Sequence, residues 1–103
     1  VGMDGILAES LRIRAEIQLS ASNLSEAEDF ARQAVAAADA TGAPRFQAAA
    51  QLAFARALLA KESAGERAAS NAGSEALETA ASLFERAGQV DTAETLRAEL
   101  ASG

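Results

Sequence analysis

The stretch at residues 25–35, SEAEDFARQAV, decides the fold of this chain. In it and just beyond it, apolar residues recur at i, i+3, i+4, i+7, i+8 and i+11, namely Ala27, Phe30, Ala31, Ala34, Val35 and Ala38. This spacing forms one face of an α-helix, whereas a strand would alternate at every second residue. Because most of these side chains are single methyl groups, a neighbouring helix can approach the face closely. The stretch therefore predicts the second helix of a tightly packed antiparallel pair.

Composition extends this prediction to the whole chain. With 103 residues and 50% hydrophobic content, the sequence is long enough for one domain with its own core. Much of that content is alanine, which has the highest helix propensity but buries little apolar area. Four Phe, without Trp or Tyr, are the only large aromatic anchors. We therefore expect an all-α fold with a thin, layered core.

Turn and capping residues divide the chain into five predicted helices. Asp4 is the expected N-cap of the first helix, and Ser25 with Glu28 forms a Ser-x-x-Glu capping box for the second. Gly42 suits the left-handed position after the second helix, and Pro44 suits the first turn of the third. The short segments between these signals make consecutive helices antiparallel neighbours.

The predicted helices form a single helical domain over residues 4–101. It consists of a hairpin at 4–42, a second hairpin at 44–88 and a capping helix at 91–101. Within the second hairpin, residues 64–73 are rich in Gly, Ser, Asn and charge, and we expect a mobile insertion there. Apolar residues cover more than half of the first and third helices, so each is expected to be contacted on two sides.

Isolated glycines and a second capping box mark the remaining helix ends. Glycines at 42, 65, 73 and 88 stand singly near predicted helix ends. Each is therefore predicted to be a cap or a turn, and no Gly-rich phosphate cradle is expected. Asp91 with Glu94 forms a second capping box, which predicts the start of the last helix.

The residue inventory argues against most enzyme chemistry. The chain has no Cys and no His, which removes thiolates and the commonest general base and metal ligand. Its carboxylates lie on faces opposite the apolar ones, where a solvated surface is expected rather than an acid/base pair or a metal site. Nine basic and fifteen acidic residues give a net charge of −6, which opposes binding to nucleic acid or to an anionic membrane. From the same inventory we expect neither a cofactor nor a metal. We expect a cytoplasmic protein, since neither a leader nor a membrane span is evident.

The helix pattern resembles tetratricopeptide repeats, in which helical hairpins stack on one another. The family's small-residue signature on its second helix is matched by Ala27, Ala31 and Ala34, and again by Ala76, Ala80 and Leu83. The turn SNLSEA is similar to the family's turn, with Ser22 in place of Gly. The final stretch, ALETAASLFERAGQVDTAETLRAEL, is similar to the C-terminal helical regions of bacterial ATP-binding transcriptional activators and nucleotide cyclases. The resemblance implies a short solenoid of about five helices that binds proteins.

In the resembled fold, the first and third helices line one concave surface. Residues 40–61 carry three basic side chains and no acid, although the chain as a whole is acidic. The predicted partner-binding residues on this surface are Arg12, Arg14, Arg45, Gln51 and Arg56. They would form a groove for an acidic peptide or a carboxyl terminus. The alternative is that these side chains are ordinary solvated positions lying over alanine-rich surface.

The sequence thus predicts a non-catalytic protein-interaction module of a bacterial cytoplasmic regulator. Two helical pairs and a cap are fewer than the three repeats that such arrays usually need, so a parent chain or a second copy in a homodimer is also an expected partner. Two other hypotheses stay open at this point. One is a purely structural or self-associating scaffold, and the other is a small-molecule sensor with a pocket between helices.

Overall fold

The computed structural model describes residues 2–66 and 71–102. In these ranges the chain forms five α-helices and no strand: α1 Gly2–Ser20, α2 Leu24–Thr41, α3 Pro44–Ser63, α4 Ala72–Arg86 and α5 Val90–Ser102. The prediction of an all-α fold with about five helices is confirmed. Within the same ranges, no helix combines the length and the apolar character that crossing a membrane would require.

The helices pack in the order in which they occur along the chain. Each contacts its neighbour in sequence, and α1 also contacts α3. The hairpin of α1 and α2 therefore lies beside that of α3 and α4, and α5 packs on α4. The shortest dimension of the molecule is 18 Å, about the thickness of two helix layers at 8–10 Å between axes. The core is thin, as the scarcity of aromatic residues predicts.

Alanine fills the contact between the first three helices. The face of α2 that decides the fold is buried along its length, at Ala27, Ala31, Ala34 and Ala38. Ala34 and Ala38 pack with Ala50 of α3 and with Leu11 of α1. A second cluster joins α3, α4 and α5 through larger side chains, including Leu58, Leu77, Phe84 and Leu96. The small-residue spacing predicts that a neighbouring helix packs closely on α2, and in the structure both α1 and α3 do so.

The turn between α2 and α3 is the one that the sequence predicts. Gly42 has a φ of 67°, and its N–H donates to the carbonyl oxygen of Asp39. Pro44 occupies the first turn of α3. In the turn before α2, Ser22 adopts a positive φ of 63°, a conformation that usually favours glycine. This is the residue that replaces Gly in the family-like turn SNLSEA.

The predicted capping interactions are wrong. α2 begins at Leu24, one residue before Ser25, because Leu24 is buried on the same face as Ala27 and Ala31. Ser25 therefore lies inside the helix, and Glu28 is buried against α3 instead of capping α2. The other two caps also differ, since Asp4 lies in the first turn of α1 and Asp91 in the first turn of α5.

The insertion predicted at residues 64–73 is shorter at its C-terminal end. α4 begins at Ala72, and Gly73 is buried inside it rather than forming a cap or a turn. A Cβ at Gly73 would lie 2.7 Å from Leu59 Cδ2, so the missing side chain lets α4 approach α3 closely. Residues 64–66 are exposed. The remaining part of the predicted insertion, residues 67–70, lies outside the described residues.

Within residues 2–66 and 71–102, only one side of α1 is covered by other helices. Leu11 and Ala15 are buried against α2 and α3. The opposite side of the helix exposes large apolar residues, namely Met3, Ile6, Leu7, Ile13 and Ile17. The sequence predicts that two sides of α1 are contacted, and the described residues of this chain contact one of them.

Candidate functional site

A groove runs between α1 and α3, and we call it the α1–α3 groove. Its central cavity has a volume of about 410 Å³ and is lined by Glu9, Arg12, Arg45, Phe46, Ala49, Phe84 and Gln89. Toward the helix N-termini it opens into a cavity of about 620 Å³, lined by Gly5, Ile6, Glu9, Ser10, Ile13, Arg45 and Phe46. Toward the C-termini lies a smaller cavity of about 180 Å³, lined by Ala15, Glu16, Leu19, Leu52, Ala53 and Arg56. The groove thus has an apolar floor with charged residues along both walls.

Helical spacing explains which side chains reach the groove. On α3, residues 45, 49, 52 and 56 follow the steps of one helical face. That face is left uncovered because other faces of α3 pack on α1, α2 and α4. On α1, Glu9, Arg12 and Glu16 occupy i, i+3 and i+7 and border the groove from the other side. The walls are therefore one face of each helix.

Arg12 is held by two carboxylates of its own helix. Its Nε lies 3.0 Å from Glu9 Oε1 and its Nη2 lies 3.1 Å from Glu9 Oε2, while Nη1 pairs with Glu16. The hydrogen bond from Arg12 lowers the pKa of Glu9, and Arg45 lowers it further through its charge. The same hydrogen bond raises the pKa of Arg12. Arg12 is therefore engaged within the chain rather than free to bind a partner.

Arg56 is likewise paired, in this case with the last helix. Its two terminal nitrogens lie 2.6 Å and 3.0 Å from the two carboxylate oxygens of Glu99 on α5. This two-bond contact raises the pKa of Arg56 and lowers that of Glu99. It ties α3 to α5.

Arg45 differs from both of these residues. It is exposed at the mouth of the groove, and its guanidinium carbon lies 4.6 Å from the centre of the Phe46 ring. Among residues 2–66 and 71–102, no carboxylate forms an ion pair with it. Phe46 in turn lies against Gly5, where a Cβ would stand 3.2 Å from the ring. Arg45 therefore presents a charge that is oriented by stacking and not neutralised by direct pairing.

The five predicted site residues occupy different surroundings. Arg12 and Arg45 line the central cavity together, and Arg56 lines the adjoining one. Arg14 lies outside these cavities, with its guanidinium 6.0 Å from the ring of Phe30 on α2. Gln51 is about 140° around α3 from Arg56 at 100° per residue, so it faces away from the groove. Three of the five residues thus share the groove.

The groove also contains residues that the sequence analysis did not select. Glu9 and Glu16 stand one turn to either side of Arg12, and this spacing is the sequence signal that could have identified their pairing. Phe84 and Gln89 reach the groove from α4 and from the turn that follows it. Nothing in local spacing indicates their position, because it depends on how the second hairpin packs.

A second polar cluster lies between α2 and α3, away from the groove. The buried carboxylate of Glu28 accepts a hydrogen bond from Lys61 and also pairs with Arg32. The Arg32 guanidinium carbon lies 5.4 Å from the centre of the Phe54 ring. Arg32 belongs to the same helix as Glu28, whereas the hydrogen bond from Lys61 joins α2 to α3.

The described residues hold no group of three or more acidic side chains arranged to bind a metal ion. Comparisons with protein-family models, with curated proteins and with solved structures found no match to this chain. What the geometry offers is a groove with an aromatic wall and an unpaired guanidinium. The α1–α3 groove is therefore the candidate site of this chain.

Proposed function

We propose that the chain is a non-catalytic protein-interaction module whose α1–α3 groove receives an acidic segment of a protein partner. The observation that carries this proposal is Arg45, which is exposed, stacked on Phe46 and without an ion pair among the described residues. A guanidinium can hold one carboxylate through two parallel hydrogen bonds. The bound group would be an Asp or Glu side chain or a free carboxyl terminus.

The charge distribution of the central cavity supports an acidic ligand. Its lining includes two cations, Arg12 and Arg45, and one carboxylate, Glu9. Glu16, which also pairs with Arg12, lines the adjoining cavity, so two carboxylates balance these two cations, whereas the chain as a whole has a net charge of −6. Because Arg12 already satisfies Glu9, the attraction for an incoming carboxylate falls mainly on Arg45.

The groove also offers apolar contact beside this charge. Phe46 and Ala49 line the central cavity, and Ile6 and Ile13 line the larger cavity that adjoins it. A peptide with an apolar residue near its acidic group could therefore bury the former while Arg45 binds the latter. The cellular setting that we propose, a cytoplasmic regulatory protein of a bacterium, rests on the resemblance of the sequence to tetratricopeptide-like regions.

The test is a pull-down in which three forms of the protein are compared. The parent chain and the Arg45→Glu and Arg86→Glu variants would be immobilised and exposed to the same bacterial lysate. Arg86 is an exposed arginine on α4, so its variant is matched in charge change and exposure. We expect at least one partner that the parent and the Arg86→Glu variant retain and that the Arg45→Glu variant loses. Identical partners for all three forms would overturn the proposal.

The identified partner then allows a sharper measurement. Two synthetic peptides covering its binding segment would be compared, one with the acidic group and one with the corresponding amide. Affinity should fall when the acid is replaced and when salt is raised, because exposed charges are screened beyond about 8 Å at physiological ionic strength. Equal affinity for both peptides would contradict the role of Arg45.

A further inference from the structure

The exposed side of α1 carries a stripe of apolar residues with one polar residue, Ser10, at its centre. Four of its residues keep much of their surface in solvent: Met3 is 80% exposed, Ile6 69%, Ile17 58% and Ile13 46%. With Ser10 at its centre, we call this set the α1 stripe. It lies on the side of α1 opposite Ala8, Leu11 and Ala15, which pack inside the domain. Contiguous apolar patches on soluble proteins often mark a binding surface.

The spacing of the α1 stripe identifies the kind of partner that fits it. Its members at 3, 6, 10, 13 and 17 alternate steps of three and four residues, which is the a/d pattern of a heptad repeat. A heptad stripe packs best against another helix with the same repeat. We infer that the α1 stripe binds the α1 stripe of a second copy of this chain, with the two helices parallel.

The charges beside the stripe determine the orientation. One flank carries Glu9 and Glu16, and the other carries Leu7 and Arg14. In a parallel pair of such helices, the acidic flank of one helix lies beside the Leu7 and Arg14 flank of the other. A residue on the acidic flank then contacts the residue five positions further along the second helix, so Glu9 meets Arg14 of the second copy. The two-fold symmetry makes this contact twice. In an antiparallel pair, the two acidic flanks would face each other and repel.

Arg14 is available for this contact. Its guanidinium carbon stands 6.0 Å from the Phe30 ring, and no described carboxylate forms an ion pair with it. Glu9 is bound by Arg12, but a carboxylate has about four acceptor positions and can take a second guanidinium. The pairing therefore needs no rearrangement of the groove.

Association would also avoid much of the usual ordering cost. Most of the stability of a helix in a protein comes from tertiary packing, and α1 is already held by α2 and α3 in one copy. At about 1.5 Å per residue, α1 is about 28 Å long. A protein–protein interface of standard size buries about 800 Å² on each partner. Contact can extend beyond the stripe, because Ile6 and Ile13 also border the cavity beside Phe46. The surface is thus preformed and larger than the stripe itself.

The first test measures molecular mass in solution. We expect the parent chain to have about twice the 10.5 kDa mass of one copy by light scattering at micromolar concentration. A double variant, Met3→Glu with Ile17→Glu, should be monomeric with an unchanged circular dichroism spectrum, since both side chains are exposed in one copy. The matched control is Val90→Glu, which changes an exposed apolar residue on α5 and should leave the mass unchanged. A monomeric parent, or equal masses for the parent and the double variant, would overturn the inference.

The second test determines orientation. The chain has no cysteine, so an Ile17→Cys variant contains a single thiol. In the parallel pair the two positions face each other, and oxidation should yield a covalent dimer. In an antiparallel pair centred on Ser10, they would be about 21 Å apart along the axis, far beyond disulfide reach. Absence of the covalent dimer at concentrations where the variant still associates would overturn the parallel arrangement. Ile6, Ser10 and Ile13 belong both to the α1 stripe and to the larger cavity of the groove, so a dimer would cover part of that cavity. Met3 and Ile17 line none of the cavities of the groove described above, so the double variant removes the stripe contact and leaves the lining of the groove intact.

Discussion

Glu28 on α2 accepts a hydrogen bond from Lys61 near the end of α3, with 3.0 Å between Glu28 Oε1 and Lys61 Nζ. The carboxylate is buried, and its side chain keeps only 7% of its surface exposed. A buried carboxylate is costly unless cations and hydrogen bonds compensate it. The pair therefore adds a polar link between α2 and α3 to the alanine contacts between these helices.

Replacing Lys61 with Ala should destabilise the fold by about 1–3 kcal/mol, because the buried Glu28 would lose a partner. Urea denaturation followed by circular dichroism measures the change. Arg32→Ala provides the control, since Arg32 pairs with the same carboxylate from an exposed position and should cost about 0–1 kcal/mol. A double variant, Glu28→Gln with Lys61→Met, should recover part of the loss. If the Lys61→Ala and Arg32→Ala variants lost equal stability, the special role of Lys61 would be contradicted.

The alanine seam between α2 and α3 predicts a second effect on stability. Ala34 is fully buried and packs with Ala50 of α3, while Ala53 packs with Ala31 and Ala15. Leucine at position 34 has no space to occupy, so that variant should lose about 1–3 kcal/mol. Leucine at position 53 should lose less, because Ala53 lines the cavity of about 180 Å³ between α1 and α3. Ala36→Leu is the matched control, because Ala36 is exposed on the same helix as Ala34. Equal unfolding midpoints for the three variants would show that the seam is not tightly packed.

These two regions show what local sequence can predict. The alanine spacing identifies the buried face of α2 correctly because that face depends on helical periodicity alone. Glu28 stands three residues after Ser25, and the same local logic assigns it to a capping box. Its partner on α3, Lys61, is 33 positions away, and only the packing of α2 on α3 brings the two together. Arg32, which pairs with the same carboxylate, stands four residues along the same helix. Local rules therefore predict the helix face and the pairing within one helix, but not the pairing of a buried charge between helices.

The same distinction holds for the groove. The spacing of residues 45 and 56 along α3 places both arginines on one face, as the sequence suggests. The sequence does not indicate that Arg56 is paired with Glu99, which lies 43 positions later on a helix whose orientation is set by its contact with α4. The sequence therefore predicts the same role for Arg45 and Arg56, whereas the structure gives them different surroundings. Of these two arginines, only Arg45 forms no ion pair with a carboxylate of the described residues.

Arg56 should contribute to the attachment of α5. α5 makes its helix contact with α4, and the Arg56–Glu99 pair adds a link to α3. Both side chains are about 40% exposed, so the Arg56→Ala variant should lose no more than about 1 kcal/mol of global stability. The expected effect is local, with faster hydrogen exchange in α5 and little change in α1 and α2. Uniform acceleration across all helices would contradict this role.

The dependence of stability on pH should have a definite sign. Glu9, Glu85 and Glu99 all have a lowered pKa in the folded chain, in each case chiefly because an arginine donates a hydrogen bond to the carboxylate. A group with a depressed folded-state pKa stabilises the fold above its unfolded pKa, and that stabilisation disappears as pH falls through the folded-state value. The unfolded reference for these groups is 4.5. Stability should therefore fall on acidification below about pH 4.5.

Near neutral pH the same reasoning predicts little change. The chain has no His and no Cys, so side chains that ordinarily titrate between about pH 5 and 8 are absent. Thermal unfolding followed by circular dichroism should give a level midpoint in that range and a decline at lower pH. The Glu99→Gln variant should show a shallower decline, because its side chain no longer titrates, whereas Glu26→Gln on the exposed side of α2 should match the parent. A decline that begins well above pH 5, or one that Glu99→Gln leaves as steep as in the parent, would contradict the assignment of acid sensitivity to these ion pairs.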